Sequence, residues 1–199
     1  MKKVIAILLA VLAFSPLSSG ENQEEEDAVA VIIGAGDATR SLEADFRQTR
    51  RSSLMNGDLV SKGHMSYAKP DKLKWEYTEP DSFAFILDGN RVMTEKDGQL
   101  QQGSNAQDRI FRDITKLIMN TVTGTALRNG KDFSVSVETC GRMWIVRLVP
   151  ARKDLERLLP GMTLHYDRDL KSVVRVEMDE KNGDSTVIEF SDIKRSENE

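Results

Sequence analysis

The most constraining feature of this sequence is an alternation of period two. Leu73, Trp75 and Tyr77 fall on one side, and Lys72, Lys74 and Glu76 on the other. Successive side chains of a β-strand point to opposite faces, so the pattern demands a strand with one apolar and one wet face. Leu59–Lys69 alternates more weakly, and Phe83–Leu87 is apolar on both faces. Asp88-Gly89-Asn90 and Asp97-Gly98 are turn signals flanking Arg91–Thr94, which makes these strands antiparallel neighbours. The rhythm returns at Phe133–Thr139, Met143–Val149, Met162–Tyr166, Val173–Asp179 and Thr186–Ile193. Hairpins are expected at Gly141-Arg142 and Asn182-Gly183, and Lys153–Leu159 reads as a short helical turn before Pro160-Gly161. No repeat, low-complexity block or linker interrupts the series, so residues 21–199 read as one mostly antiparallel domain.

Two segments break the rhythm. In Asn105–Val122, the residues Ile110, Phe111, Ile114, Leu117, Ile118 and Thr121 recur at helical spacing, with Arg109, Arg112, Asp113 and Lys116 opposite. Ser104 or Asn105 can cap this amphipathic helix, and Gly124 lies just past its end. A weaker helix is expected over Ala28–Leu42 from Val29, Ile32, Ile33 and Leu42, against the cost of Gly34 and Gly36. The acidic run Glu21–Asp27 before it suits either a frayed tail or a first helical turn. About ten short strands with so few helices can close as a barrel or sandwich. They can also form a strongly curved, incompletely closed sheet with the amphipathic helix over its concave side. Met65, Met119, Met143 and Met162 then line a cavity with adaptable side chains, or else are ordinary core.

The N-terminus and the composition limit what such a domain does. Lys2 and Lys3, the apolar run Val4–Phe14, Pro16 and Ser18-Ser19-Gly20 have the layout of a secretory leader over residues 1–20, cleaved after Gly20. The apolar run is too short to span a bilayer, and no Cys follows it to carry a lipid, so a soluble exported protein is expected. With one Cys there is neither a disulfide framework nor a CxxC metal or redox site, and Cys140 is expected to be half-buried and inert. The 28 Lys and Arg against 32 Asp and Glu give no electrostatic case for nucleic acid. His64 and His165 are the only histidines. His64 falls on a wet strand face, and His165 with Asp167 and Asp169 makes poor metal evidence. Gly34-Ala35-Gly36 lacks the strand and third glycine of a dinucleotide turn. No catalytic set, cofactor or metal is expected, and a monomeric binding domain is.

Phe46-Arg47-Gln48, the stretch Gly63 to Trp75 with Lys69-Pro70 inside it, Pro80 and Asp88-Gly89 form an ordered series. It resembles the periplasmic outer-membrane lipoprotein carrier family, LolA. That family has an F-x-Q strand, a glycine-led alternating step ending in a basic residue and Pro, an x-x-W, a Pro and a D-G turn at similar intervals. The resemblance implies a mostly β fold with covering helices: an incomplete, half-open antiparallel β-barrel with a helical lid over an apolar cavity. It implies a periplasmic carrier, not an enzyme, that shields the acyl chains of lipoproteins. Such a carrier takes cargo from an inner-membrane lipoprotein-releasing ABC transporter and hands it to an outer-membrane acceptor. Phe46, Leu73, Trp75 and Phe85 match apolar cavity positions in that family. Met65, Tyr67 and Tyr77 from the same strands, with Ile114, Leu117 and Ile118 from the helix, complete the expected acyl-chain site.

Two positions depart from the family pattern. Lys69 stands where typical members have an Arg that latches the lid. Arg offers a planar fork to several carbonyls and Lys a single ammonium, so a Lys latch holds less firmly, or Lys69 simply snorkels at the surface. Typical members also continue past the last strand with an F-x-F-x-x-P-like tail, which the residues after Phe190 and Ile193 lack. The alternative on the same scaffold is a lipid-binding sensor or specialised lipid carrier that acts through a protein partner.

Overall fold

Alternating segments separated by tight turns build a meander, because each strand finds its hydrogen-bond partner in the next. The computed structural model describes residues 19–53, 57–89, 91–102, 120, 124–128, 132–153, 156, 161–179 and 183–197. Helix α1 (Ser19–Ala38) leads into β1 (Thr39–Arg51), β2 (Leu59–Ala68), β3 (Lys72–Glu79), β4 (Phe83–Asp88), β5 (Arg91–Lys96) and β6 (Gln99–Gln102). A short 3-10 turn (Thr125–Arg128) precedes β7 (Phe133–Cys140), β8 (Met143–Pro150), β9 (Met162–Asp167), β10 (Ser172–Asp179) and β11 (Ser185–Glu197).

All eleven strands join one sheet in the order β6-β5-β4-β3-β2-β1-β11-β10-β9-β8-β7. Two antiparallel meanders meet where the first and last strands pair, from Thr39↔Glu197 to Arg51↔Ser185. Among the described residues β6 and β7 do not pair, so the sheet is unclosed. Gly98 and Gly141 hold positive φ values of 72° and 59° at the expected hairpins. Both sit in the left-handed region that favours glycine.

The strands after β1 fall within a few residues of their expected positions, except β6, of which the sequence marks only the preceding Asp97-Gly98 turn, whereas the N-terminal region differs. Leu42, expected at the end of a helix, lies on β1. Leu42, Ala44 and Phe46 alternate with Ser41, Glu43 and Asp45, and that strand pattern overrides the helical spacing. The helix instead runs back through the acidic run to Ser19. Of the leader read over residues 1–20, only Ser19 and Gly20 are described, and they form the first turn of α1. The lid helix expected over Asn105–Val122 lies outside the described residues, apart from Asn120, which is helical. Of the helical turn at Lys153–Leu159, Lys153 and Glu156 are described and helical. Cys140, expected half-buried, is exposed at the end of β7. No helix of the described residues is long and apolar enough to cross a membrane.

The register stacks the apolar residues into rows that cross the sheet. Val92, Leu87, Leu73, Tyr67 and Leu42 pair in turn from β5 to β1, and all five are buried. On the other half Ile188, Val176, Leu164 and Val146 pair from β11 to β8 and are buried too. Ile32 and Ala35 of α1 belong to the same apolar cluster. The opposite face is charged. Arg47, Glu189, Arg175 and Glu177 form a chain of ion pairs across β1, β11 and β10, and His165 of β9 sits 3.0 Å from the Glu177 carboxylate. The hydrogen bond from Arg175 holds the Glu177 carboxyl below the usual carboxylate range.

Candidate functional site

The apolar face is densest where β1, β2, β3 and β11 lie side by side. Phe46 stacks on Trp75 at 4.3 Å between ring centroids and meets Tyr77 edge-on at 5.3 Å. Trp75 meets Phe190 edge-on at 6.0 Å. Offset and edge-to-face pairs of this kind add stability beyond area burial. Gly63 makes the arrangement possible. A Cβ there would lie 2.5 Å from the Phe46 ring and would run into the Glu76 carbonyl.

Polar groups on this face are few, and the buried Trp75 indole N–H finds no hydrogen-bond partner among the described residues. The Tyr77 hydroxyl donates to Gln48 Oε1 at 3.1 Å. Burial pushes the phenols of Tyr67 and Tyr77 above their ordinary value, so both stay neutral at physiological pH. Among the described residues no three His, Cys, Asp or Glu side chains converge to hold a metal ion. His64 Nδ1 pairs with Asp45 at 2.8 Å and His165 Nε2 with Glu177 at 3.0 Å, both on the charged face. The apolar face can bury hydrocarbon, and among its described residues both tyrosine hydroxyls, Tyr67 and Tyr77, are held in the neutral form.

Seven of the residues expected at the site come together here. Phe46, Met65, Tyr67, Leu73 and Trp75 are buried, and Tyr77 and Phe85 are partly so. They occupy adjacent rows: Tyr67 opposite Leu73, Met65 opposite Trp75, and Trp75 opposite Phe85. Ile114, Leu117 and Ile118 lie outside the described residues. Sequence reasoning missed Leu42, Leu87, Val92 and Phe190, which extend the same face. Alternation marks Leu42 and Phe190, whereas the two-sided apolar run of β4 leaves the facing of Leu87 unspecified.

Lys69 is occupied at the end of α1. Its Nζ donates to the Asp37 carbonyl at 2.5 Å, and its backbone N–H to the Arg40 carbonyl at 2.9 Å. Beside it, Arg195 donates to the Ala35 carbonyl at 2.5 Å and to the Thr39 hydroxyl at 2.7 Å. Arg128 pairs with the Asp37 carboxylate. A cavity of about 10 Å³ lies next to this cluster, lined in part by Ile32, Thr39, Tyr166 and Arg195. The Tyr166 hydroxyl is buried with no hydrogen-bond partner among the described residues, and burial pushes its phenol up to about 12 against the pull of Arg195.

Comparison with known proteins fits this geometry. The outer-membrane lipoprotein carrier protein of Francisella tularensis subsp. tularensis is 30% identical over 102 residues, 51% of this chain and 46% of that one. The chain thus spans about half the length of the curated relatives it matches. A chain of the Pseudomonas aeruginosa MucA/MucB complex superposes with a TM-score of 0.51 at 15% identity, over 87% of this chain and 59% of that chain, which is a likeness of fold. A LolA superfamily protein from Nitrosomonas europaea matches 85% of this chain and 94% of its own at a TM-score of 0.42 and 10% identity. The family model described as outer membrane lipoprotein carrier protein LolA matches residues 37–198, from the end of α1 through β11, and the chain belongs to that family.

Proposed function

We propose that this protein is a periplasmic carrier that shields the acyl chains of lipoproteins on the apolar face of its open sheet. The observation that carries the reading is the continuous set of buried apolar rows on an unclosed sheet, in a chain of the lipoprotein carrier family. Phe46, Met65, Tyr67, Leu73, Trp75, Tyr77 and Phe85 form the floor of the acyl site. In this reading Ile114, Leu117 and Ile118 of the amphipathic segment 105–122 also contact the acyl chains. Each methylene moved out of water gains about 0.8 kcal/mol, enough to hold a lipoprotein's acyl chains without chemistry. Cargo passes from an inner-membrane ABC transporter to an outer-membrane acceptor that binds it better, because the carrier supplies no energy of its own. Residues 1–20 act as the export leader, and residues 21–199 work as a single non-enzymatic domain.

A second reading, a lipid sensor acting through a protein partner, is favoured by one observation. The basic residue before Pro70 is a lysine holding a single carbonyl, a weaker hold than an arginine fork gives. Native mass spectrometry of the protein purified from its own envelope separates the two. Co-purifying acylated protein is the result expected of the carrier, and free lipid alone is that of the sensor. In the same experiment Leu73→Glu, which sets a carboxylate in the apolar floor, is expected to lose the bound mass while the far-UV circular dichroism stays that of a folded sheet. Retention of cargo by that variant would refute the assignment of this face.

A further inference from the structure

A buried hydroxyl without a partner destabilises a folded chain, so each one calls for a reason. Among the described residues two buried side-chain polar atoms lack a hydrogen bond, Trp75 Nε1 and the Tyr166 hydroxyl. Both residues belong to the apolar cluster. The indole has an acceptor close by, since burial raises the Tyr77 phenol and the Trp75 N–H pulls it back down. Tyr166 has none among the described residues, although it is only 3% exposed. It stands between Trp144 of β8 and Val173 of β10, and its ring stacks on Trp144 at 5.8 Å. Arg168 lies over the same indole at 5.5 Å, so the tyrosine rests on a fixed platform.

Tyr166 lines the small cavity beside α1, together with Ile32, Thr39, Leu42, Ser172 and Arg195. The strongest donor there is already engaged: Arg195 bonds Ala35 and Thr39 and pairs with Glu197. The Thr39 hydroxyl in turn donates to the Ala35 carbonyl at 2.8 Å. That leaves the Tyr166 O–H as a donor without an acceptor. A volume of about 10 Å³ admits one oxygen-sized atom, and neither a headgroup nor an acyl chain. The cavity also abuts the floor of the acyl site. Leu42, part of its lining, stands opposite Tyr67, and Tyr67 stands opposite Leu73.

We propose that Tyr166 is the polar anchor of the acyl site: its hydroxyl donates a hydrogen bond to the carbonyl oxygen of an ester- or amide-linked acyl chain, seated in the cavity beside Leu42. This role rests on the carrier reading and adds a chemical criterion to it. Burial of methylenes alone favours any hydrocarbon of equal length. A buried donor that is otherwise unpaired favours the chain that brings an acceptor. The site therefore prefers acylated ligands to plain alkyl ones. It fixes the carbonyl end of the chain at β9, and the methylenes run from there over the floor toward Trp75 and Phe85.

The test compares a dipalmitoylglyceryl-cysteine peptide with its dihexadecyl ether counterpart, which keeps the chain length and lacks the carbonyls. Each is titrated calorimetrically, below micelle formation, into the intact wild type and into Tyr166→Phe. Wild type should bind the ester about tenfold more tightly than the ether, and Tyr166→Phe should bring the two affinities together. With carbon-13 at the ester carbonyls, part of the infrared carbonyl band should lie lower in the wild-type complex than in that of Tyr166→Phe. An ester preference equal in the two proteins, or a carbonyl band that the substitution does not move, would overturn the anchor. A cavity that simply holds water gives that result. Loss of both ligands by Tyr166→Phe would make the tyrosine a packing residue and overturn it as well. A wild type that binds neither peptide would sink the carrier reading and the anchor with it. Binding without any ester preference would sink the anchor alone.

Discussion

Gly63 sets how closely the floor of the apolar face is packed, because the Phe46 ring occupies the space a side chain would need. Gly63→Ala should therefore cost about 1–3 kcal/mol, the usual range for overpacking, seen as a lower midpoint in urea unfolding. Tyr166 gives a second residue-level test. The folded protein holds the phenol proton up to about 12 against an ordinary value of 10.0. Stability is thus fully present below pH 10 and is lost as pH rises through about 12, because the unfolded chain releases that proton first. Tyr166→Phe should remove this alkaline loss in thermal melts. It should be neutral or stabilising by about 1 kcal/mol at pH 7, since the hydroxyl it deletes has no partner among the described residues. Residue identities at the site were readable from the sequence where alternation was strict, as at Leu73, Trp75 and Tyr77. The role of Arg195 was not readable, because nothing local to β11 announces a contact with a helix about 160 positions earlier.

At the scale of elements, the strands from β2 onward were legible because period-two patterning and Gly turns act locally. The first helix and strand were not, because the stretch from Ala28 to Leu42 carries both periods and tertiary pairing with β11 decides between them. α1 likewise gains its C-terminal hold from distant cations and none from its own last turn. That hold has a measurable signature. The Arg128–Asp37 pair is about half exposed, with side chains 43% and 55% accessible, whereas Arg195 is sheltered. Raising the salt to about 1 M shortens the screening length to about 3 Å and should speed amide exchange at the end of α1 by no more than a few fold, leaving the central strands unaffected. Arg195→Gln should have a larger effect that salt does not reproduce.

For the whole molecule, the pairing of β1 with β11 joins two meanders into one unclosed sheet with an apolar and a charged face. Local patterning foretold the meanders, but not their junction, which lies between the two ends of the domain. The two faces make the central claim testable without any variant. The apolar face carries Met65, Trp75 and Phe85, and a groove of about 420 Å³ lies along Ser66, Lys74, Ile86 and Met93 of the opposite face and reaches Tyr67, Leu73 and Leu87 at its base. A lipoprotein-derived acyl peptide bearing a photoreactive group along its fatty chain, cross-linked to the intact protein and mapped by mass spectrometry, reports which face takes the hydrocarbon. Cross-links concentrated at Met65, Trp75 and Phe85, and competed away by unlabelled acyl peptide, are the predicted result. Labelling confined to the groove around Ile86 and Met93, or scattered labelling that competitor does not reduce, would contradict it.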